Sequence, residues 1–314
     1  MQSFTNLESI PEFSKNTVIT FGVFDGLHIG HQDVLDKVRQ IGNTENLTSI
    51  LFGFYPHPLS YLAPEKCPPV LMCLQKRIEI LEELGIDTTI FINFDESIAS
   101  MAPDTFVNSI LLDICNAKHV VVGYACQFGK DRQGNAQLLE SIGKESGFGV
   151  SVVPPTLLNG LPVHSTRIRQ SIARGDLGLV SQLLGRTYSI SGTIVQGDGR
   201  GKQLGFPTAN IDTGEQLCPP NGVYAIQAKL KEHWLNGVVN IGFRPTFNGT
   251  EFQVESHLFD FDEVVYGETL EIFFIEKIRS ERKFSTIHAL RQQINRDIIA
   301  AGEILEQQSQ EINQ

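Results

Sequence analysis

Nothing in this sequence reads as a membrane span, a disulfide framework or a basic binding surface. No apolar run approaches the ~20 residues that cross a bilayer. The five cysteines (Cys67, Cys73, Cys115, Cys126 and Cys218) are odd in number, and no two have CxxC spacing. That argues against paired disulfides and a zinc site, and for a reducing compartment. Basic residues are in deficit, 25 Lys+Arg against 36 Asp+Glu, for a net charge of −11. Without a broad positive field, neither nucleic acid nor an anionic membrane is an expected partner. Any phosphate must be held by local groups. The first residues, MQSFTNLESIPEFSK, lack a basic stretch leading into an apolar one, so no signal peptide is expected and the cytoplasm is the expected compartment. Internal repeats and low-complexity segments are also lacking.

What is present suits a globular protein with ample core: 314 residues, 41% hydrophobic and 19% charged. At roughly 150 residues per domain, two domains are expected. The first half alternates candidate strands with candidate helices. The strands are Val18–Phe21, Ser49–Phe54, Thr89–Phe94, His119–Val122 and Val150–Val153. The helices lie around Gln32–Ile41, Leu74–Leu84, Thr105–Ile114 and Ala136–Lys144. Such alternation predicts a mostly parallel, doubly wound sheet, with ligands at the carboxyl ends of its strands. After about Gly185 strands follow one another without helices: Tyr188–Val195, Val223–Leu230, Val238–Ile241, Phe252–Phe259 and Thr269–Phe274. Tyr224, Ile226, Ala228 and Leu230 alternate at period two. Consecutive short strands predict a small barrel. A closing helix with Ile287, Leu290, Ile294 and Ile298 on one face is expected to pack on it. The boundary falls near residue 186, giving domains 1–185 and 186–314.

The first chemical signal is Gly22-Val-Phe-Asp-Gly-Leu-His-Ile-Gly-His31, which follows a predicted strand and opens a predicted helix. Glycines let the backbone approach a ligand, and free N–H groups at a helix start favour phosphate. His28 and His31 are one turn apart and can donate to the same triphosphate. An isolated HxxH also suits a metal or an idle surface; the strand–loop–helix context favours phosphate. In the second half Gly197, Gly201 and Gly205 lead into Phe206-Pro-Thr-Ala-Asn210. Gln203 stands where a Walker A loop needs Ser or Thr. If the segment is extended, Thr208 and Asn210 share one face and suit a hard cation beside a nucleotide. Glu255 and His257 are two polar residues on one strand face, and such a face is usually just solvated.

The Gly22–His31 segment matches the HxGH motif of the nucleotidyltransferase superfamily, and Val163-His-Ser-Thr-Arg-Ile-Arg169 resembles its second element, ISSTxIR. With Tyr55-Pro-His-Pro58, Leu184-Gly-Arg186, Pro219-Pro-Asn-Gly-Val-Tyr-Ala225, Asn240-Ile-Gly-Phe-Arg-Pro-Thr246, Val254-Glu-Ser-His257, Asp260-Phe-Asp262, Tyr266-Gly267 and Ile278-Arg-Ser-Glu-Arg-Lys-Phe284, the chain from about 15 to 300 resembles the bacterial bifunctional riboflavin kinase/FMN adenylyltransferase family. The resemblance implies an α/β fold: a Rossmann-like nucleotidyltransferase domain, then a β-barrel riboflavin kinase domain with a C-terminal helix. It implies ATP as co-substrate, riboflavin, FMN and FAD as substrates or products, and Mg²⁺ at Thr208 and Asn210. Glu255 matches the family's general base. His28 and His31 would serve adenylyl transfer, with Gly22, Phe24, Asp25, Gly26, Ser165, Thr166 and Arg169 around the nucleotide. Gly197, Gly201 and Gly205 would cover the kinase nucleotide. Pro56, Pro58, Phe128, Asn240 and Arg244 would meet flavin.

Two positions depart from the family pattern. Gly123-Tyr-Ala-Cys-Gln-Phe-Gly129 has Ala125 where a polar residue would contact ATP, and His164 replaces the first serine of the SST triplet. Gly123, Phe128, Gly129 and Arg132 are retained. A second reading therefore stands beside the bifunctional one: a riboflavin kinase whose N-terminal domain only binds nucleotide or flavin. A third, adenylylation of some other phosphate ester, leaves the kinase motifs unexplained.

Overall fold

The computed structural model describes residues 1–197, 199, 201, 204–246 and 249–312, with the side chains of 244–246, 249–251 and 311–312 outside the description. The chain divides into two compact units: Met1–Val70 with Leu74–Ser165, and Leu71–Cys73 with Thr166–Gln314.

The first unit is built on a six-stranded sheet. Its strands are β1 (Gln2–Phe4), β2 (Thr17–Gly22), β3 (Thr48–Phe54), β4 (Thr88–Ile92), β5 (Ala117–Gly123) and β8 (Gly149–Val153), in the order β1-β4-β3-β2-β5-β8. Every pairing is parallel. Two short antiparallel pairs, β6 (Gln127–Phe128) with β7 (Gly134–Asn135) and β9 (Leu157–Leu158) with β10 (Leu161–Pro162), stand outside this sheet. All five strands expected from the sequence form; β1 is an added edge. Residues Thr17 to Phe21 of β2 are all buried, as a strand covered on both faces must be. From β2 the chain winds to β3 and β4 on one side and to β5 and β8 on the other. The point of reversal lies between β2 and β5, where open α/β sheets bind ligands.

Helices α1 (Ile29–Glu45), α2 (Pro58–Leu62), α3 (Leu74–Glu83), α4 (Glu96–Ala99), α5 (Pro103–Thr105) and α6 (Ala136–Ser146) belong to this unit. Asn135 caps α6 by accepting from Leu138 N at 2.9 Å, and Gly147 ends it in the left-handed conformation. The helix expected at Thr105–Ile114 continues α5, but Phe106–Ile114 is wound as a π-helix, with Cys115 N bonded to Ile110 O at 3.0 Å. π-turns concentrate at functional sites, and Phe106 lines the cavity described below.

The second unit holds α7 (Ser165–Arg174), α8 (Leu177–Leu184) and a closed barrel. The barrel order is β11-β12-β15-β14-β13-β16, with β11 (Ser189–Val195), β12 (Ala209–Asp212), β13 (Gly222–Leu230), β14 (His233–Thr246), β15 (Gly249–Leu258) and β16 (Thr269–Arg279). The sequence reading finds five of these and misses β12, whose four residues are too short a run for their alternation to stand out. Tyr224, Ile226, Ala228 and Leu230 are buried, as their period implies. Val223 and Ala225 on the other face are buried too, in a cluster with Ile298, Ala301 and Leu305 of α9 (Ile287–Ile312).

The expected apolar face of α9 needs one correction. Ile298 packs on the barrel, and Leu290 and Ile294 line a cavity, but Ile287 is 69% exposed. It is the first residue of the helix, and the packing stripe runs on through Ala301 and Leu305 instead.

Candidate active sites

The first unit has a cavity of about 790 Å³ at the carboxyl ends of β2 and β5, lined there by Gly22 and Gly123. Its polar end is made by the loop Gly22–His28. Phe24 and Leu27 have φ of 49° and 40°, and Gly26 has φ 87°. A non-glycine residue in the left-handed region costs about 1–2 kcal/mol, so this loop needs external support. Gln32 Nε2 donates to Leu27 O at 2.8 Å, and Ser165 Oγ donates to Asp25 O at 2.9 Å. His28 caps α1, its Nδ1 accepting from His31 N at 3.2 Å. Accepting at Nδ1 places the proton of the neutral ring on Nε2, making the ring an N–H donor. The His28 and His31 rings stack at 3.6 Å between centroids, and both line the cavity. Arg132 adds a positive charge to the lining. The rest is largely apolar: Phe54, Pro58, Leu62, Phe94, Phe106 and Phe128. Such a site suits a ligand with an anionic end and a flat aromatic body.

Gly22, Phe24, His28, His31, Pro58, Phe128 and Ser165 meet in this cavity; Asp25, Gly26 and Pro56 do not line it. The Asp25 carboxylate is turned into the protein, 3.2 Å from Arg77 Nη2. Thr166 and Arg169 lie on α7 and group with the second unit. Ala125 and His164 both line the cavity, as does Cys126, whose thiol is pushed up to about 12 by burial and stays protonated at neutral pH. His57, Tyr124 and Thr156 line it as well. The sequence alone does not single them out, although His57 and Tyr124 stand inside quoted segments.

The second unit has a cavity of about 400 Å³. Three side chains from neighbouring strands form a row: Asn210 of β12 is paired with Glu255 of β15, which is paired on its other side with Asn240 of β14. All three line the cavity, with Thr208 and Gly201. A Cβ on Gly201 would lie 2.4 Å from Phe206 O and 2.8 Å from Thr208 Oγ1, so this position admits only glycine. A Cβ on Gly197 would lie 2.0 Å from Asn210 Nδ2. Gly197 and Gly205 do not line the cavity. Arg244 continues β14, and its side chain lies outside the described residues.

His257 also faces this cavity, and Nδ1 is 2.8 Å from Pro207 O. It fastens Pro207, just ahead of β12, to β15, so the polar face of β15 is more than a solvated one. The far wall is the segment after β16. Arg279 Nε meets both oxygens of buried Asp297 at 3.0 Å, and Nη2 adds a contact at 2.8 Å. Gln293 Nε2 donates to the same carboxylate at 2.7 Å, and Arg282 donates to Gln293. Both arginines lie against the Phe284 ring. The motif Ile278–Phe284 was visible in the sequence; its partner Asp297 was not.

Comparison with known proteins matches both halves. A family model described as FAD synthetase matches residues 10–167, and one described as riboflavin kinase matches residues 184–305. The chain is similar to the bifunctional riboflavin kinase/FMN adenylyltransferases of Haemophilus influenzae (37% identical, 96% of this chain and 98% of the relative), Escherichia coli K12 (36%, 95% and 95%) and Bacillus subtilis (35%, 92% and 92%). A solved structure described as a macrolide-efflux protein from Streptococcus pneumoniae superposes with TM-score 0.83 at 27% identity, covering 94% of this chain and 96% of that one. Among the described residues, no helix is long and apolar enough to cross a membrane.

Proposed function

We infer that this chain, which belongs to the bifunctional riboflavin kinase/FMN adenylyltransferase family, makes FMN in its barrel unit and FAD in its Rossmann-like unit. Its two activities are the ATP-dependent phosphorylation of riboflavin and the adenylylation of FMN. The observation that carries the assignment of residues is the Asn210–Glu255–Asn240 row inside one cavity and the His28/His31 pair inside the other.

In the kinase step, the Glu255 carboxylate takes the proton of the riboflavin 5′-hydroxyl. The oxygen then attacks the γ-phosphorus of ATP, and ADP leaves. Asn210 and Asn240 flank Glu255 on the neighbouring strands. Asn240 and Arg244 are the proposed flavin-site residues. Gly197, Gly201 and Gly205 are the proposed nucleotide-loop residues, of which Gly201 lines the cavity. The donors that would hold Mg²⁺ are Thr208 and Asn210, with Glu255 alongside, all of them hard oxygen ligands. Bound there, Mg²⁺ would neutralise phosphate charge.

In the adenylyl step, FMN phosphate attacks the α-phosphorus of ATP and pyrophosphate leaves. The nucleophile is already ionised, so the protein positions and neutralises rather than deprotonates. His28 and His31 serve the phosphates, with Ser165, Thr166 and Arg169 from the second motif. Phe54, Pro58 and Phe128 form the flavin wall. We assign the two activities to residues 1–185 and 186–314. We place the protein in the cytoplasm, its five cysteines being free, with small molecules as its partners.

The decisive experiment incubates the pure protein with riboflavin and MgATP and separates FMN from FAD by chromatography. Both products are expected. FMN without FAD returns the first unit to the role of a binding module, and neither product sinks the reading.

A further inference from the structure

Support for the strained loop comes most firmly from a residue outside either cavity. Arg77 of α3 is 1% exposed. Its Nη1 donates to Val23 O at 2.9 Å and its Nη2 to Asp25 Oδ1 at 3.2 Å. The guanidinium lies 5.7 Å from the Tyr55 ring centroid and 5.5 Å from that of Phe91. One planar fork therefore holds a backbone carbonyl and a side-chain carboxylate of the segment that ends in His28. A buried ion pair is a poor source of stability compared with apolar packing, because both charges must be desolvated. What it does supply here is a fixed geometry for residues 23–25.

The geometry points to Arg77 as a positioning residue for adenylyl transfer, with Asp25 acting through Arg77 and not on the nucleotide. The pair locks the left-handed turn at Phe24, and with it the entry into α1 where His28 and His31 stack. A lysine cannot replace it, since an ammonium lacks the fork that reaches both acceptors. The inference rests on the reading that the cavity of the first unit is the adenylylation site. The flavin wall at Phe54, Phe94 and Phe128 is made by other segments. Loosening the loop should therefore spare FMN binding and slow turnover.

The test uses full-length Arg77→Lys and Asp25→Asn proteins. Three quantities are read on each: FAD formation from supplied FMN, FMN formation from riboflavin, and FMN affinity by quenching of flavin fluorescence. Misplacement of reacting groups by an ångström costs about 10²-fold in rate, so kcat for FAD should fall by about that factor in Arg77→Lys. Asp25→Asn keeps an acceptor oxygen and should fall less. FMN affinity should stay within about twofold, and the kinase rate should not change. If Arg77→Lys does not fold, Asp25→Asn decides alone. Parental kcat in both variants overturns the proposal. So does a loss of FMN affinity in step with kcat, which marks collapse of the cavity. An unsubstituted protein that makes no FAD overturns the underlying reading instead, and that is seen before any variant is made.

Discussion

Two single side chains carry opposite expectations for the two reactions. A hydroxyl nucleophile needs its proton removed, and a positioned base contributes about 10²–10⁴ in rate. Glu255→Gln should lower FMN formation by that factor while adenylylation of supplied FMN is unchanged, as product chromatography will read. Ala125 lines the first cavity and has no side-chain polar atom to offer ATP. One neutral hydrogen bond is worth about 0.5–1.5 kcal/mol, or roughly threefold to tenfold in affinity. Ala125→Asn should lower the KM for ATP in FAD formation by that factor, with kcat little changed. An unchanged KM would mean that another group already makes the contact. Both residues were legible because their motifs are contiguous in sequence. Arg77 was not, although it stands on the apolar face of α3 beside Ile80 and Leu81. An arginine at such a position ordinarily faces water; only the fold brings Asp25 and Val23 O to it.

At the scale of elements, period and spacing revealed the longer apolar strands of both units. They did not reveal β12, whose partners Val195, Thr193 and Glu255 are far away in sequence. The site that matters most in the barrel is therefore assembled by the strand that local pattern could not announce. The π-helical winding of Phe106–Ile114 likewise has no local cue. Helix α9 was expected, but not its anchor. Asp297 is 3% exposed and receives Arg279 and Gln293 together. Removing one member of a buried pair strands the other charge, at a cost of about 3 kcal/mol. Asp297→Ala should lower the stability of the barrel unit by that amount. The single tryptophan, Trp234 on β14, reports unfolding of this unit in urea. A midpoint within error of the parent would show that α9 is held by its apolar stripe alone.

At the scale of the molecule, motif order and compactness cut the chain at different places. The activity boundary proposed from motifs falls at 186, just inside the matched segment that begins at 184 and well past the one that ends at 167. The compact units separate at Ser165/Thr166, so α7 and α8 travel with the barrel. Val180, Leu183 and Leu184 of α8 are buried, and α8 packs against β16. A fragment starting at Arg186 would expose that face of the barrel, whereas one starting at Thr166 keeps it covered. Fully burying one Val or Leu side chain is worth about 1.5–3 kcal/mol, so the loss of three is large for a domain of this size. The expectation is that 166–314 folds cooperatively and makes FMN from riboflavin, while 186–314 is measurably less stable by thermal denaturation. Neither should make FAD, because both lack the Gly22–His31 loop. Equal melting temperatures would show that α8 contributes nothing to the barrel. FAD from either fragment would overturn the assignment of adenylyl transfer to the first unit.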